Sequence, residues 1–349
     1  MAASGRNGGI GRRALLASAI ALAGAVACPG MAALAQQVRF FRIGAGPAGG
    51  TLFRSAGWIC AAISNPPGSR PCEKNGSCGV PGMIALAQST EGGFANLKAL
   101  RERALDAGIA YADMAHDALA GKGEFKTAGP FPELCAVTAL APESLHILVR
   151  RGGGIRKVAD LKGKRIAIGA EASDPAALTA LVLRLHGISR RAYKAVPLNP
   201  EAAASALAEG RVDAMIFLAR PPSAVARQMM QDHGGMLLPL AAARVNAAVE
   251  ANPFLSASVI PSAAYGTADP IPSLATVPVL LVRREMDADL VTALSRALWL
   301  AMKNDDVHPL DDAAFATAQI KRRGVPLHPA AQAFRDGLAQ QDSAMPGAR

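Results

Sequence analysis

The chain has 349 residues, 51% of them hydrophobic and only 4% aromatic, which is enough apolar material for two domains or for one domain of two lobes. That composition excludes a disordered tail, a collagen-like repeat and a small disulfide scaffold. The formal charge is +10, but no Lys/Arg cluster is interleaved with aromatics, so nucleic acid is not expected as a partner.

Arg6, Arg12 and Arg13 precede an uncharged apolar run over 14–27, and Ala33-Leu34-Ala35 offers a cleavage site before Gln36. The run falls short of the roughly 20 residues that a membrane-spanning helix needs. Residues 1–35 therefore read as a signal peptide that sends the rest of the chain to the periplasm. Arg12-Arg13 leaves the twin-arginine route open, and Cys28 lacks the preceding leucine usual at a lipid-attachment site.

A short strand over 38–43 enters the glycine turn 44–50, and a helix over 51–63 ends at Asn65-Pro66-Pro67-Gly68. Cys72 and Cys78 follow in a polar loop, where an oxidising compartment favours a disulfide. The rival reading, a zinc pair, wants closer spacing and a nearby histidine. Cys60 and Cys135 sit in apolar runs and read as buried small hydrophobes. A strand over 83–88, a helix over 95–105 opened by Gly92-Gly93, and strands over 108–111, 145–149 and 164–168 come next. Asp174 is expected to cap a helix with Pro175 at its first position, carried on by Leu178, Leu181, Val182 and Leu185 and stopped at Gly187. Asn199-Pro200 repeats the cap, Gly210 ends that helix, and strands over 212–218 and 278–282 precede a helix over 290–302. Strands spaced by helices predict an α/β chain with largely parallel, helix-covered sheets.

Gly44-Ala45-Gly46-Pro47-Ala48-Gly49 is a G-x-G-x-x-G between a strand and a helix, the pattern of a dinucleotide site. Such a site wants an acid about 20 positions on, at the end of a second strand. The chain has Ser64-Asn65-Pro66-Pro67 there. An exported flavin- or nicotinamide-dependent oxidoreductase is thus the alternative reading. What the loop offers physically is backbone N–H groups at the positive end of a helix, a setting for an anion. Gly92-Gly93 and the segment from Gly169 to Pro175 offer the same. H-E-x-x-H, G-x-S-x-G and C-x-x-C are all missing, so no catalytic residue, metal or cofactor is expected. His146, inside an apolar strand, reads as a satisfied core residue.

An ordered set of motifs then carries a family resemblance. It includes I-G-A-G-P-A-G-G-T-L-F from Ile43, S-N-P-P-G-S-R-P-C-E-K-N-G-S-C-G from Ser64, P-E-S-L-H-I-L-V-R from Pro142, D-L-K-G-K-R-I-A-I-G from Asp160 and A-L-A-E-G-R-V-D-A-M-I-F from Ala206. Over residues 38–335 the chain resembles the TAXI-type solute receptors of TRAP transporters. The resemblance implies a two-lobed periplasmic binding protein, type II, with mostly parallel sheets. It would bind a small anion of the glutamate or 2-oxoglutarate kind and deliver it to a fused TRAP permease. Lobe I would be 36–148 plus 276–349 and lobe II 149–275, with the strands over 145–149 and 278–282 as hinging crossovers. The family's binding turns carry onto Gly49, Gly50 and Thr51, onto the turn from Gly93 to Asn96, and onto Glu171 and Ser173. The chain departs from the family at Arg54, at Tyr111-Ala112-Asp113 where the family has Q-x-D and only Asp113 is kept as a ligand-binding residue, at Ser173-Asp174-Pro175, and from Phe217 to Pro221. Arg54 or Arg220 is expected to reach the cleft and favour a dianion. A receptor fold diverted to sensing is the third reading.

Overall fold

The structure is a computed structural model that describes residues 38–48, 50–72, 78–169, 173–252, 254–305, 308–311 and 324–344. The expected signal peptide and Cys28 lie outside the described residues.

The chain builds two sheets. The first contains β1 (Arg39–Gly46), β4 (Met83–Ser89), β5 (Ala107–Tyr111), β6 (Leu134–Ala139) and β14 (Pro278–Arg283), in the order β4-β1-β5-β14-β6. β1 runs parallel to both of its neighbours, while β14 is antiparallel to β5 and β6. β2 (Ser64–Asn65) and β3 (Val80–Pro81) form a small parallel pair outside it. The second sheet orders β12 (Ser256–Ile260), β13 (Ile271–Thr276), β7 (Glu143–Arg150), β10 (Ala214–Ala219), β8 (Arg165–Ala167) and β9 (Lys194–Val196). β11 (Gly235–Leu237) pairs with the far end of β7. The expected parallel arrangement is found in the β4-β1-β5 and β10-β8-β9 segments, and antiparallel strands complete each sheet.

Each lobe follows from amphipathic patterning. In the helix Thr51–Ile63 the buried residues Ser55, Ala56, Ile59, Cys60 and Ile63 recur at helical spacing and pack on Phe41, Ile43 and Met83 of the first sheet. Ile59 and Ile63, fully enclosed, each contribute roughly 1.5–3 kcal/mol of burial free energy. In the second lobe, Leu145, Ile147 and Val149 of β7 join Ile166, Ile216, Leu178 and Val182 in a separate core.

The chain passes between sheets twice, through residues 140–142 and through Val277. All eight residues of Glu143–Arg150 belong to the second sheet, so the expected boundary at 148/149 cuts a strand that the ladder keeps whole. The expected boundary at 275/276 likewise falls inside β13, and β14 lies wholly in the first sheet. Cys72 and Cys78 are joined by a disulfide, as expected. Cys60 and Cys135 are free and buried, and burial pushes the Cys60 thiol up to about 12.

Candidate functional site

Both lobes repeat one local topology. β1 leads to β4 on one side and then to β5 on the other, and β8 leads to β9 and then to β10 in the same way. The gap between diverging connections, at the carboxyl ends of the parallel strands, is where open α/β sheets receive ligands. The two gaps face a shared cavity of about 90 Å³. A single water needs roughly 10–15 Å³ by this measure, so the cavity suits a molecule of fewer than about ten heavy atoms.

Four helices open on this cavity. Gly50 and Thr51 begin the helix Thr51–Ile63, Gly92 and Gly93 begin Gly93–Arg101, Ser173 precedes Asp174–Leu185, and Asn199 and Pro200 begin Pro200–Ala208. The first two come from one lobe and the last two from the other. Their first-turn N–H groups have no helical acceptor, so four positive helix ends converge on one space.

The local sequence explains these starts. Asn199 Oδ1 accepts from Ala202 N–H at 2.8 Å, with Pro200 just inside the helix. Ser173 is the cap of its helix, its hydroxyl accepting from Ala176 N–H at 3.4 Å; the expected cap, Asp174, is the first helical residue instead. The hydroxyl of Ser173 is the shorter arm and meets the first-turn N–H while Pro175 fixes the turn. The first glycine of the G-x-G-x-x-G serves packing: a Cβ on Gly44 would lie 2.5 Å from both Asn96 Oδ1 and Leu105 Cδ1. Gly46 has φ +131, which closes the motif to L side chains.

Of the expected ligand residues, Gly50, Thr51, Ser173 and Phe217 line the cavity. Gly49 and Glu171 lie outside the described residues. Asn96 does not reach it. Its side chain is fully enclosed, accepting from the Thr90 hydroxyl at 2.7 Å and donating to the Ile109 carbonyl at 2.8 Å. It ties the helix Gly93–Arg101 to β5, and so acts through Gly93. Asp113 borders a neighbouring hollow with Asp117, Glu124 and Ser173, and burial pushes its carboxyl up. Arg54 and Arg220 are exposed and line a flanking cavity with Trp58 and His308. There Arg220 Nη1 donates to the His308 carbonyl at 2.6 Å, joining the end of β10 to the first lobe. Neither guanidinium lines the central cavity; both line the flanking one, which shares Thr51 and Glu143 with it.

Two further side chains stand in the wall: Tyr111, which departs from the family's Q-x-D turn, and Glu143, which sequence reasoning did not single out. Glu143 is 2% exposed and Tyr111 3%; the Tyr111 hydroxyl donates to Glu143 Oε2, bridging the ends of β5 and β7. Burial pushes the Glu143 carboxyl up to about 7, against the hydrogen bond from Tyr111 and the charge of Arg54. The one signal was an acid opening an otherwise apolar strand, Glu143 ahead of L-H-I-L-V. Leu52, Phe53, Leu198, Met215, Ile216 and Leu218 make the remaining wall mostly aliphatic.

The fold and the cleft define the class: an α/β, two-lobed protein with the periplasmic binding protein type II fold. Residues 43–335 match the NMT1-like family, and the chain belongs to it. Among solved structures, MatC from Rhodopseudomonas palustris with bound malate is 17% identical, covering 88% of this chain and 98% of that one at a TM-score of 0.53. The alkanesulfonate-binding protein SsuA from Xanthomonas axonopodis pv. citri bound to MOPS is 19% identical, covering 88% and 93%, at 0.43. The periplasmic aliphatic sulphonate binding protein SsuA from Escherichia coli is 17% identical, covering 85% and 83%, at 0.41.

Proposed function

We propose that this protein is an exported solute receptor, not an enzyme, that closes its lobes on a small carboxylate-bearing metabolite and passes it to a TRAP-type permease. The observation that carries this reading is the convergence of four helix N-termini, two from each lobe, on one small cavity. Helix starts of this kind satisfy carboxylate oxygens, and burial strengthens each hydrogen bond so made. The malate bound to MatC, a protein of like fold, supports a small organic acid as the class. The permease partnership rests on the TAXI resemblance, and periplasmic location on the residues 1–35 reading. No helix among the described residues is long and apolar enough to cross a membrane. Two chain passages, at 140–142 and Val277, supply the hinge in this reading, and Gly50, Thr51, Ser173 and Phe217 touch the solute.

Mass spectrometry of the small molecule retained by the purified protein, followed by calorimetry with that compound, tests the proposal. A carboxylate of fewer than about ten heavy atoms is expected. A retained flavin or nicotinamide would overturn it in favour of an oxidoreductase.

A further inference from the structure

The central cavity combines four positive helix ends with two acids, buried Glu143 and exposed Glu91, and among its described lining residues there is no Lys, Arg or His. Glu143 stands at the first position of β7, opposite Thr276 of β13. The groups around it are the Tyr111 hydroxyl from β5 and the Arg54 charge from the helix Thr51–Ile63, with Arg220 and His308 in the flanking cavity whose wall Glu143 also forms; the other acid lining the central cavity, Glu91, is exposed. A dicarboxylate enclosed here would bring a second negative group against the Glu143 carboxyl, and two carboxylates sharing one dry site cannot both stay ionised. A zwitterion meets no such conflict. Its carboxylate lies at the helix ends, its ammonium against Glu143, and its carbon chain against the apolar wall of Leu52, Leu198, Met215 and Phe217.

We infer that Glu143 is the specificity residue of this cavity: it accepts the ligand's ammonium group, and the solute is an α-amino acid with a small apolar side chain. This rests on the receptor reading above and narrows it from carboxylates in general to amine-bearing ones. The ammonium takes the place in the Glu143 environment that a protonated carboxyl would otherwise fill, so binding near neutral pH ionises Glu143 and releases a proton.

The test is isothermal titration calorimetry of the purified protein with L-leucine, L-valine, 4-methyl-2-oxopentanoate and succinate, in buffers of different ionisation enthalpy at pH 7. Leucine or valine is expected to bind at least about 30-fold more tightly than the oxo acid, with net proton release, the size set by losing one partner of a buried charge pair. Glu143→Gln is expected to remove about 30-fold or more of the amino-acid affinity while leaving the oxo acid within about 3-fold. Equal binding of leucine and its oxo acid, proton uptake with leucine, or an equal loss of both ligands in Glu143→Gln would overturn the inference. Because proton release is read on the unaltered protein, a variant that fails to fold does not block the test. Binding of succinate or the oxo acid alone sinks this inference and leaves the receptor reading standing; binding of none of the four sinks this inference, and the receptor reading falls with it only if no small carboxylate is retained by the purified protein.

Discussion

Glu143 and His146 lie on the same strand, face opposite sides of the second sheet, and are both buried, yet their surroundings put them to different uses. His146 Nδ1 lies 2.9 Å from the Ser144 carbonyl, so that nitrogen carries the proton, and Nε2 accepts from the Tyr265 hydroxyl at 2.8 Å. The Tyr265 oxygen in turn accepts from Ser223 N–H at 2.7 Å, and Phe217 stacks on the imidazole at 5.0 Å. Every partner there is protein, and burial holds the imidazole neutral by lowering it to about 4. Glu143 has Tyr111 on one oxygen and the central cavity beside it. The difference teaches that a closed polar network holds the fold, whereas a buried acid facing a cavity holds capacity for a solute at the expense of stability.

The largest expected effect breaks the closed network. Tyr265→Phe leaves His146 Nε2 and the Ser223 N–H without partners, a loss of about 2–6 kcal/mol at roughly 1–3 per unsatisfied buried group. Urea unfolding reads it, and a midpoint shift worth less than about 0.5 kcal/mol would show that the network carries no load. Glu143→Gln is expected to do the reverse. Because the folded carboxyl is raised from 4.5 to about 7, its contribution is present below the ordinary value and is lost as pH rises through about 7. The glutamine variant should therefore gain up to about 3 kcal/mol above pH 7 and nothing below about pH 4. His146 has the opposite sign: its folded value is depressed, so its contribution is present above 6.5 and lost as pH falls towards about 4. In Glu143→Gln, stability between pH 7 and 4 should fall more steeply with acid than in the unaltered protein, and parallel curves would contradict the assignment. Breaking Cys72–Cys78 by serine substitution at both positions should cost about 2 kcal/mol, the loop-closure value for so short a ring, as thermal unfolding would show. The smallest effect is Arg220→Ala, below about 1 kcal/mol, since the bond to the His308 carbonyl is exposed; an unchanged solute affinity would agree with its place outside the central cavity.

The elements were legible where local chemistry decides them. The helix expected over 51–63 is Thr51–Ile63, and Asn199-Pro200 caps its helix as the residue types require. Ser173 and Asp174 are both good caps, and only the backbone path beside Pro175 chose between them. The lobe boundary expected at 148/149 falls inside β7, whose start at Glu143 and Ser144 depends on pairing with β13, a contact that no local pattern contains. Asn96 was expected as a ligand group because the family resemblance carries a binding turn onto Gly93 to Asn96; its role under Gly44 and against Ile109 depends on a helix-to-sheet distance that no local pattern contains.

The sequence alone determined the alternation of strands and helices, the disulfide, the buried cysteines and the glycine-opened helix starts, since caps, turns and apolar periodicity act over a few residues. Only the tertiary structure decided that those starts meet across one cavity, that Arg54 and Arg220 stand outside it, and that Tyr111 and Glu143 meet in its wall. Those outcomes depend on sheet order and on strand ends far apart in the chain, where the reach of a side chain matters and its neighbours in sequence do not.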